Sequence, residues 1–283
     1  MDLRTVFDDA MAYVMLSRVQ AKNQLYIVGS LPEDKFRTSF KCLEELERLL
    51  SISVNRNPPK WEQQKNDIIK IAVLNCSSLQ DKIDHIREDK ILMFSDMICL
   101  TETWIRNENS DNYPIGGYIL NLNSFGDCRG KGLAIYYHED KFTVIQRIKL
   151  HNLQVTHISS VSIEVIVMYR SADCKMDTAI EKISPMIAKN KPTIICGDFN
   201  VCLSASPKNK LTQYLFKNGF DQRVNEATHI DGGLIDHVYF QRGGNDLDVN
   251  VNLYCPYYTA RDHDALLIEI TKNKDENTLE SLE

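Results

Sequence analysis

The stretch TIICGDFN, from Thr193 to Asn200, decides how the rest of the sequence is interpreted. Its first four residues are apolar or β-branched, which is typical of a strand buried on both faces. Gly197 then permits a sharp backbone turn. Because alternate residues of an extended chain point the same way, Asp198 and Asn200 share one side. We therefore expect a carboxylate and an amide that can hold a water and a phosphate oxygen side by side.

The bulk composition limits the class of protein. The 283 residues, 43% of them hydrophobic, suffice for one large core and a smaller appendage. The net charge of -6 provides no global basic field, so any contact with nucleic acid must come from a local patch. The 8 cysteines form no C-x-x-C pair and no zinc-like spacing with histidines, which favours free thiols in a reducing compartment. The charged start MDLRTVFDDA is not a signal peptide, and no apolar run is long enough to cross a membrane. We expect a nuclear or cytoplasmic protein.

The pattern of the first fifty residues predicts a helix, a short strand and a second helix, which we expect to form a small N-terminal extension. The segment AYVMLSRVQAKNQLYIVG, from Ala12 to Gly29, resembles the last motif of superfamily-1 DNA helicases of the Pif/RecD kind. In those enzymes the arginine at the position of Arg18 reaches the γ-phosphate of the nucleotide. The chain has no G-x-x-x-x-G-K-[ST] phosphate loop, so we interpret residues 1–50 as a helicase remnant that binds no nucleotide. An unrelated helix-strand-helix cap is the alternative.

The main domain is predicted to span residues 67–272, after a Pro-containing polar linker at 51–66 and before a polar tail at 273–283. Helices are expected at Leu79–Phe94 and Asp177–Ala188, among a larger number of short apolar strands. Strands that outnumber helices and interleave with them favour an α/β fold with two mixed sheets packed face to face and helices outside.

Eight polar residues fall at predicted strand ends or in the turns just after them. Any one of them alone is typical of an ordinary surface turn. Together they lie in the strings LN, TET, MYR, GDFN, LIDHV and RDHD, in this order, which makes coincidence a poor explanation. The eight residues are Asn75, Glu102, Tyr169, Asp198, Asn200, Asp236, Asp262 and His263.

This ordered series resembles the endonuclease/exonuclease/phosphatase family, over roughly Asp67 to Thr271. That family includes pancreatic DNase, apurinic endonucleases, LINE-type retrotransposon endonucleases, and lipid and inositol phosphatases. The resemblance implies a four-layered α/β sandwich with one divalent-metal pocket at the top of its sheets. It also implies phosphodiester hydrolysis by in-line attack of water, with Mg²⁺, or Mn²⁺ in its place, offsetting the developing charge.

The resemblance assigns three residues to the metal. Glu102 would hold the Mg²⁺ ion, Asn75 would lie nearby, and Asp262 would lie close to the ion. Hard cations take oxygen ligands, and Mg²⁺ keeps several of its waters, so a small set of protein ligands is expected.

The resemblance assigns five residues to the chemistry. Asp198 would orient and deprotonate the attacking water. Asn200 and His263 would hydrogen-bond the scissile phosphate as charge builds on it. Asp236 would keep His263 protonated and correctly turned, and Tyr169 would donate to a phosphate oxygen.

Two positions depart from the family pattern. The residue before the final Asp-His is usually serine, whereas here it is Arg261, which adds a phosphate contact or crowds the pocket. A Pro-Asn pair often follows the tyrosine, whereas here Tyr169 is followed by Arg170-Ser171-Ala172. The predicted role of Tyr169 in positioning DNA is therefore weaker than the roles of the GDFN residues.

A helicase-like tail followed by such a domain resembles the C-terminal part of the proteins of Helitron-like (Helentron) transposons. In that interpretation the substrate is DNA and the domain is a monomer. Each candidate phosphate contact could equally be a solvated surface charge; these contacts are Arg129, Lys131, Arg170 and Arg261. The alternatives are a LINE-type retrotransposon endonuclease, a family phosphatase, and a folded but inactive transposon fragment.

Overall fold

The computed structural model describes residues 69–105, 110–124, 130–187, 190–241, 247–259 and 262–272. The predicted helicase remnant, the linker and the C-terminal tail lie outside these residues. Within the described ranges, every helix is too short or too polar to span a lipid bilayer.

The described chain contains twelve strands and four α-helices. The strands are β1 (Ile69–Asn75), β2 (Met97–Thr101), β3 (Ile119–Asn123), β4 (Leu133–Tyr137), β5 (Thr143–Leu150), β6 (Leu153–Ser159), β7 (Glu164–Arg170), β8 (Thr193–Asp198), β9 (Phe220–Gln222), β10 (Asp236–Gln241), β11 (Leu247–Tyr254) and β12 (Ala265–Lys272). The helices are α1 (Leu79–Glu88), α2 (Lys90–Met93), α3 (Met176–Ile183) and α4 (Lys210–Lys217).

The strands form two mixed sheets of six strands each. The first sheet has the order β11-β12-β1-β2-β4-β3, and the second has the order β5-β6-β7-β8-β10-β9. The pairs β1/β2 and β7/β8 are parallel, and both lie near the centre of their sheets. Because the two parallel strands of each pair end at the same edge, the residues that follow them are brought close together.

Three layers of apolar side chains hold the sheets and helices together. The central layer lies between the sheets and includes Ile71, Cys99 and Cys196. A second cluster packs α1 on the outer face of the first sheet, and a third packs α3 and α4 on the outer face of the second. The predicted four-layered sandwich is therefore confirmed. The cysteines of the central layer are buried free thiols, as their apolar surroundings predict.

The central strands are apolar throughout because they are covered on both faces. In β1, Ile71 and Val73 enter the central core, whereas Ala72 and Leu74 face the helix layer. Strand β8 has the same arrangement, and its six residues are all buried. Such strands have continuous apolar sequences rather than alternating ones.

Two helix predictions need correction. The expected helix Leu79–Phe94 is two helices, α1 and α2, because Asp89 adopts an extended backbone and caps α2 with its side chain. Its Oδ1 accepts the N–H groups of Ile91 and Leu92. The expected helix Asp177–Ala188 ends as α3 at Ile183 and continues as a short 3₁₀ turn that contains a proline.

Two features of β8 require glycine at position 197, namely the backbone conformation and the close approach of β7. Its φ of +136° lies in a region that only glycine adopts readily, and an added Cβ would lie 1.9 Å from the carbonyl oxygen of Met168. The glycine thus lets β8 press against β7 immediately before Asp198.

Candidate active site

The pairing of the second sheet aligns three predicted site residues. Tyr169 of β7 is opposite Asp198 of β8, and Asp198 is opposite Asp236 of β10. Residues paired in this way project from the same face of a sheet. Tyr169 belongs to the core between the sheets, so all three side chains face the first sheet.

Asn75 connects the two sheets at this point. Its Nδ2 donates a hydrogen bond of 2.9 Å to Oδ2 of Asp198, and both side chains are buried. Its Oδ1 accepts from the backbone N–H of Ser77 at 3.1 Å and from the Ser77 hydroxyl at 3.2 Å. Since the amide is thereby held at both ends, its position fits a group that orients Asp198, and its role at the metal stays a prediction.

Asn200 supplies two further donors to Asp198. The backbone N–H of Asn200 donates to Oδ1 at 2.9 Å, and its Nδ2 lies 3.3 Å from Oδ2. Asn200 has a left-handed backbone with φ of +48°, a conformation that asparagine tolerates better than most residues. The turn after β8 therefore folds back on the carboxylate that precedes it.

Asp198 lies in an environment that favours its protonated form. Burial raises the pKa of Asp198 well above its usual range, and the nearby charge of Asp236 raises it further. The charge of His263 and the hydrogen bond from the Asn200 backbone oppose this rise. A carboxylate with a raised pKa is a stronger base than an ordinary aspartate, which suits proton abstraction from water.

Asp236 and His263 form a buried pair. The distance between His263 Nδ1 and Asp236 Oδ2 is 2.8 Å. Burial lowers the pKa of His263, but the hydrogen bond to Asp236 and the charges of Asp236, Asp198 and Glu102 outweigh it, so the net shift is upward. The contact uses Nδ1 and leaves Nε2 of the imidazole to donate elsewhere.

Glu102 lies on the loop that follows β2, across the site from these residues. Its backbone is left-handed with φ of +51°, and its carbonyl accepts the N–H of Ser78 at 2.9 Å. Trp104 Nε1 donates to Glu102 Oε2 at 3.3 Å. The carboxylate is partly exposed, and its charge raises the pKa values of both Asp198 and His263. The loop therefore holds a partly exposed carboxylate near Asp198 and His263, on a left-handed backbone.

Tyr169 has a different hydrogen-bond partner from the one predicted. Its hydroxyl donates to the carbonyl of Gly130, which ties the end of β7 to the loop before β4. Burial, and then the charges of Glu102 and Asp198, raise the pKa of Tyr169. Its one hydroxyl hydrogen is engaged by the backbone, so donation to a phosphate stays a prediction.

The donor set fits a hard cation. Glu102, Asp198 and Asp236 offer only oxygen atoms, and the described residues contain no group of three or more His, Cys, Asp or Glu side chains placed to enclose an ion. Mg²⁺ binds through one or two carboxylates and retains several waters, whereas structural zinc needs four protein ligands. The role of Glu102 in holding such an ion stays a prediction.

Asp262 precedes His263 in the chain, at the edge of the cluster of predicted site residues. It is exposed, and within the described residues its carboxylate makes no hydrogen bond or ion pair with the other predicted site residues. Its backbone carbonyl instead accepts the N–H of Ile230 at 3.2 Å. Its proximity to a metal ion therefore stays a prediction.

The structure places the four candidate DNA-contacting residues in different surroundings. Arg170 is only 2% exposed, and its guanidinium donates to three backbone carbonyls, so the expectation of a surface phosphate contact was wrong. Lys131 lies beside the imidazole of His151, with Nζ 3.0 Å from Nδ1, and its contact with DNA stays a prediction. Arg129 and Arg261 lie outside the described residues.

Sequence reasoning missed several residues that shape the site. His229 forms a β-bridge with His263, and the two rings meet edge to face at 4.9 Å. The Thr228 hydroxyl accepts the backbone N–H of Asp236 at 3.1 Å, which holds the start of β10. A signal for this contact was present, because Gly232-Gly233 close a turn that brings Thr228 back to β10.

No curated protein matches the sequence. Among solved structures, an AP endonuclease from Archaeoglobus fulgidus superposes with a TM-score of 0.54 at 17% identity, covering 71% of this chain and 98% of the other. The endonuclease domain of TRAS1, a telomere-specific non-LTR retrotransposon, has a TM-score of 0.54 at 14% identity, covering 73% of this chain and 100% of the other.

A phosphatase shares the fold equally well. The mannosyl-6-phosphatase Bt3783 of Bacteroides thetaiotaomicron has a TM-score of 0.51 at 14% identity, covering 72% of this chain and 99% of the other. Likeness at these identities establishes the fold and not the substrate. The model of the Endonuclease/Exonuclease/phosphatase family matches residues 53–258, which is well over half of the chain. With its two six-stranded sheets, the chain belongs to the endonuclease/exonuclease/phosphatase family, whose members hydrolyse phosphodiesters or phosphate esters.

Proposed function

We propose that this domain is a Mg²⁺-dependent DNA endonuclease that originates from a Helitron-like transposable element. The observation that carries the proposal is the hydrogen-bonded junction between the sheets, where Asn75 and Asn200 hold Asp198 beside the Asp236–His263 pair. A base and a cationic donor then face the same space, with Glu102 at its mouth. Such an arrangement suits attack of water on a phosphodiester.

Each residue of the site has its own part in the proposed reaction. Asp198 accepts a proton from the attacking water, as its raised pKa favours. Asn200 Nδ2 and His263 Nε2 donate to the phosphate oxygens, on which negative charge increases in the transition state. Asp236 fixes the tautomer and orientation of His263. Glu102 would hold a Mg²⁺ ion, which would supply Lewis-acid stabilisation of the same charge.

DNA is proposed as the substrate because of the helicase-like N-terminal segment, since endonucleases and a phosphatase share the fold alike and the fold does not decide between them. An AP endonuclease and a retrotransposon endonuclease share the fold. The segment Ala12–Gly29, outside the described residues, resembles a helicase motif, which favours a Helitron-like origin over a LINE-type one. LINE-type domains normally open their proteins, without a helicase segment before them.

Nicking of supercoiled plasmid tests the proposal. We expect the full chain to nick DNA with Mg²⁺, and EDTA to abolish nicking. Asp198→Ala should reduce the rate by a factor on the order of a hundred or more, because it removes the base. The matched control is Asp84→Ala, which removes an exposed carboxylate of α1 and should leave the rate unchanged.

The other outcomes identify the alternatives. Hydrolysis of an inositol phosphate without nicking would favour a phosphatase. A folded wild-type protein that is inactive on plasmid, single-stranded, flap and abasic DNA, and on inositol phosphates, would favour an inactive transposon fragment.

A further inference from the structure

Arg170 is buried directly beneath the predicted catalytic turn. It is the last residue of β7, and its side chain is 2% exposed. Nε donates to the carbonyl of Phe199 at 2.7 Å, and one Nη donates to the carbonyl of Asn200 at 3.0 Å. The other Nη donates to the carbonyl of Cys174, in the loop that follows β7. One guanidinium therefore joins the loops that leave two adjacent parallel strands.

The two carbonyls beyond β8 belong to the turn that shapes the site. Asn200 is left-handed, with φ of +48°, a conformation that residues with a side chain adopt uncommonly. The same turn directs the Asn200 N–H and Nδ2 groups onto the Asp198 carboxylate. A strained turn persists only when surrounding contacts determine it, and two of those contacts come from Arg170.

Lysine could not replace this arrangement. The planar guanidinium offers several N–H groups in a rigid fork, so it can reach carbonyls in different directions at once. Burial lowers the pKa of Arg170, and the charges of Cys174, Asp198 and Asp173 oppose this shift, so the group stays cationic. A lysine ammonium is a compact charge on a flexible stem, and it would lose at least one of the three carbonyls.

We infer that Arg170 is a positioning residue, which locks the Phe199–Asn200 turn so that Asn200 and Asp198 keep their catalytic orientation. The effect on catalysis rests on the proposed nuclease function, whereas the effect on the turn does not. Arg170 touches neither substrate nor metal in this role, and it acts through the backbone carbonyls. A displacement of about 1 Å in such a site can cost about a hundredfold in rate.

The experiment compares Arg170→Lys with Arg147→Lys. Arg147 lies on exposed β5 and also donates to a backbone carbonyl, that of Leu122 at 3.1 Å, so it controls for the same chemical change away from the site. Nicking of plasmid with Mg²⁺ gives kcat and KM. We expect Arg170→Lys to lower kcat by about a hundredfold with KM changed less than about threefold, and Arg147→Lys to change neither.

Two further readouts separate positioning from general stability. Amide hydrogen exchange should show faster exchange of the Asn200 N–H in Arg170→Lys, by about tenfold or more, with unchanged protection of the β8 amides. Guanidinium ion at millimolar concentration should restore part of the kcat of Arg170→Ala and none of that of Asp198→Ala. Rescue by the ion supports positioning, since it refills the vacated site.

Three results would overturn the inference. The first is a kcat of Arg170→Lys equal to that of wild type. The second is a higher KM with kcat unchanged, which would indicate a DNA contact. The third is a uniform loss of hydrogen-exchange protection across the domain. If the wild-type chain does not nick DNA, the proposed function fails, and hydrogen exchange at Asn200 still decides whether Arg170 locks the turn.

Discussion

The sequence contains the dipeptide Asp-His twice near its C-terminal end, and the structure gives the two histidines opposite surroundings. His263, from the second dipeptide, pairs with a carboxylate, and its pKa is raised. His237, from the first, is 1% exposed and donates from Nε2 to the carbonyls of Val201 and Leu234 at 2.9 and 3.2 Å. Burial lowers its pKa to about 4.

The difference follows from the alternation of a β-strand. Asp236 and His237 are consecutive in β10, so their side chains lie on opposite faces of the second sheet. Asp236 faces the first sheet and meets His263, whereas His237 faces the helix layer and stacks on Phe199 with ring centroids 4.5 Å apart. The buried Asp–His pair is therefore formed between the two dipeptides and not within either.

The largest expected effect comes from breaking that pair. Asp236→Asn keeps the shape but removes the charge that holds His263 cationic and correctly oriented. We expect kcat for plasmid nicking to fall by about a thousandfold, with the melting temperature little changed. Asp262→Asn, in the second dipeptide, should cost less than about tenfold, because its exposed carboxylate is screened by water. Equal losses in both variants would show that Asp262 holds the metal after all.

The next effect concerns the backbone opposite His237. Gly197 is the partner of His237 in the ladder between β8 and β10. Gly197→Ala should lower the free energy of unfolding by about 4 kcal/mol, because the new Cβ would overlap the Met168 carbonyl. Gly219 has φ of +82° but open space around it, so Gly219→Ala should lower the free energy of unfolding by only about 1 kcal/mol. Urea titration measures both, and similar losses would exclude the overlap as the cause.

The smallest effect is the contribution of His237 to the pH dependence of stability. Its folded pKa of about 4 lies below that of an unfolded histidine, about 6.5. As pH falls through this window, the unfolded chain binds a proton that the folded chain does not, so the free energy of unfolding decreases. We expect a loss of about 2 to 3 kcal/mol between pH 6.5 and 4, absent from His237→Asn. A variant with the same pH slope as wild type would refute this origin.

The layered fold could be predicted from the sequence because the central strands have unmistakable apolar runs. Strands β1, β2 and β8 are buried on both faces, and each ends at or just before a polar residue of the site. The edge strands lack such continuous apolar runs. Strand β11 has the sequence LDVNVNLY and lies at the edge of the first sheet, where only one face needs to be apolar.

The residues of the site could be predicted from the sequence, but the hydrogen bonds that hold them in place could not. The ordered motifs identified Asp198, Asp236 and His263, which the structure brings together. Arg170 appeared to be a DNA contact, because nothing in a linear sequence shows that the carbonyls of a distant loop would surround it. Likewise, the hydroxyl of Tyr169 is bound by a backbone carbonyl, a partner that no side-chain pattern reveals.

The bond between Asn75 and Asp198 joins residues 123 positions apart in the chain and belongs equally to both sheets. Sliding one sheet past the other by a single residue, about 3.3 Å, would separate donor from acceptor. The proposed nuclease activity therefore depends on how the two sheets are aligned, and a fragment limited to one sheet should lose it.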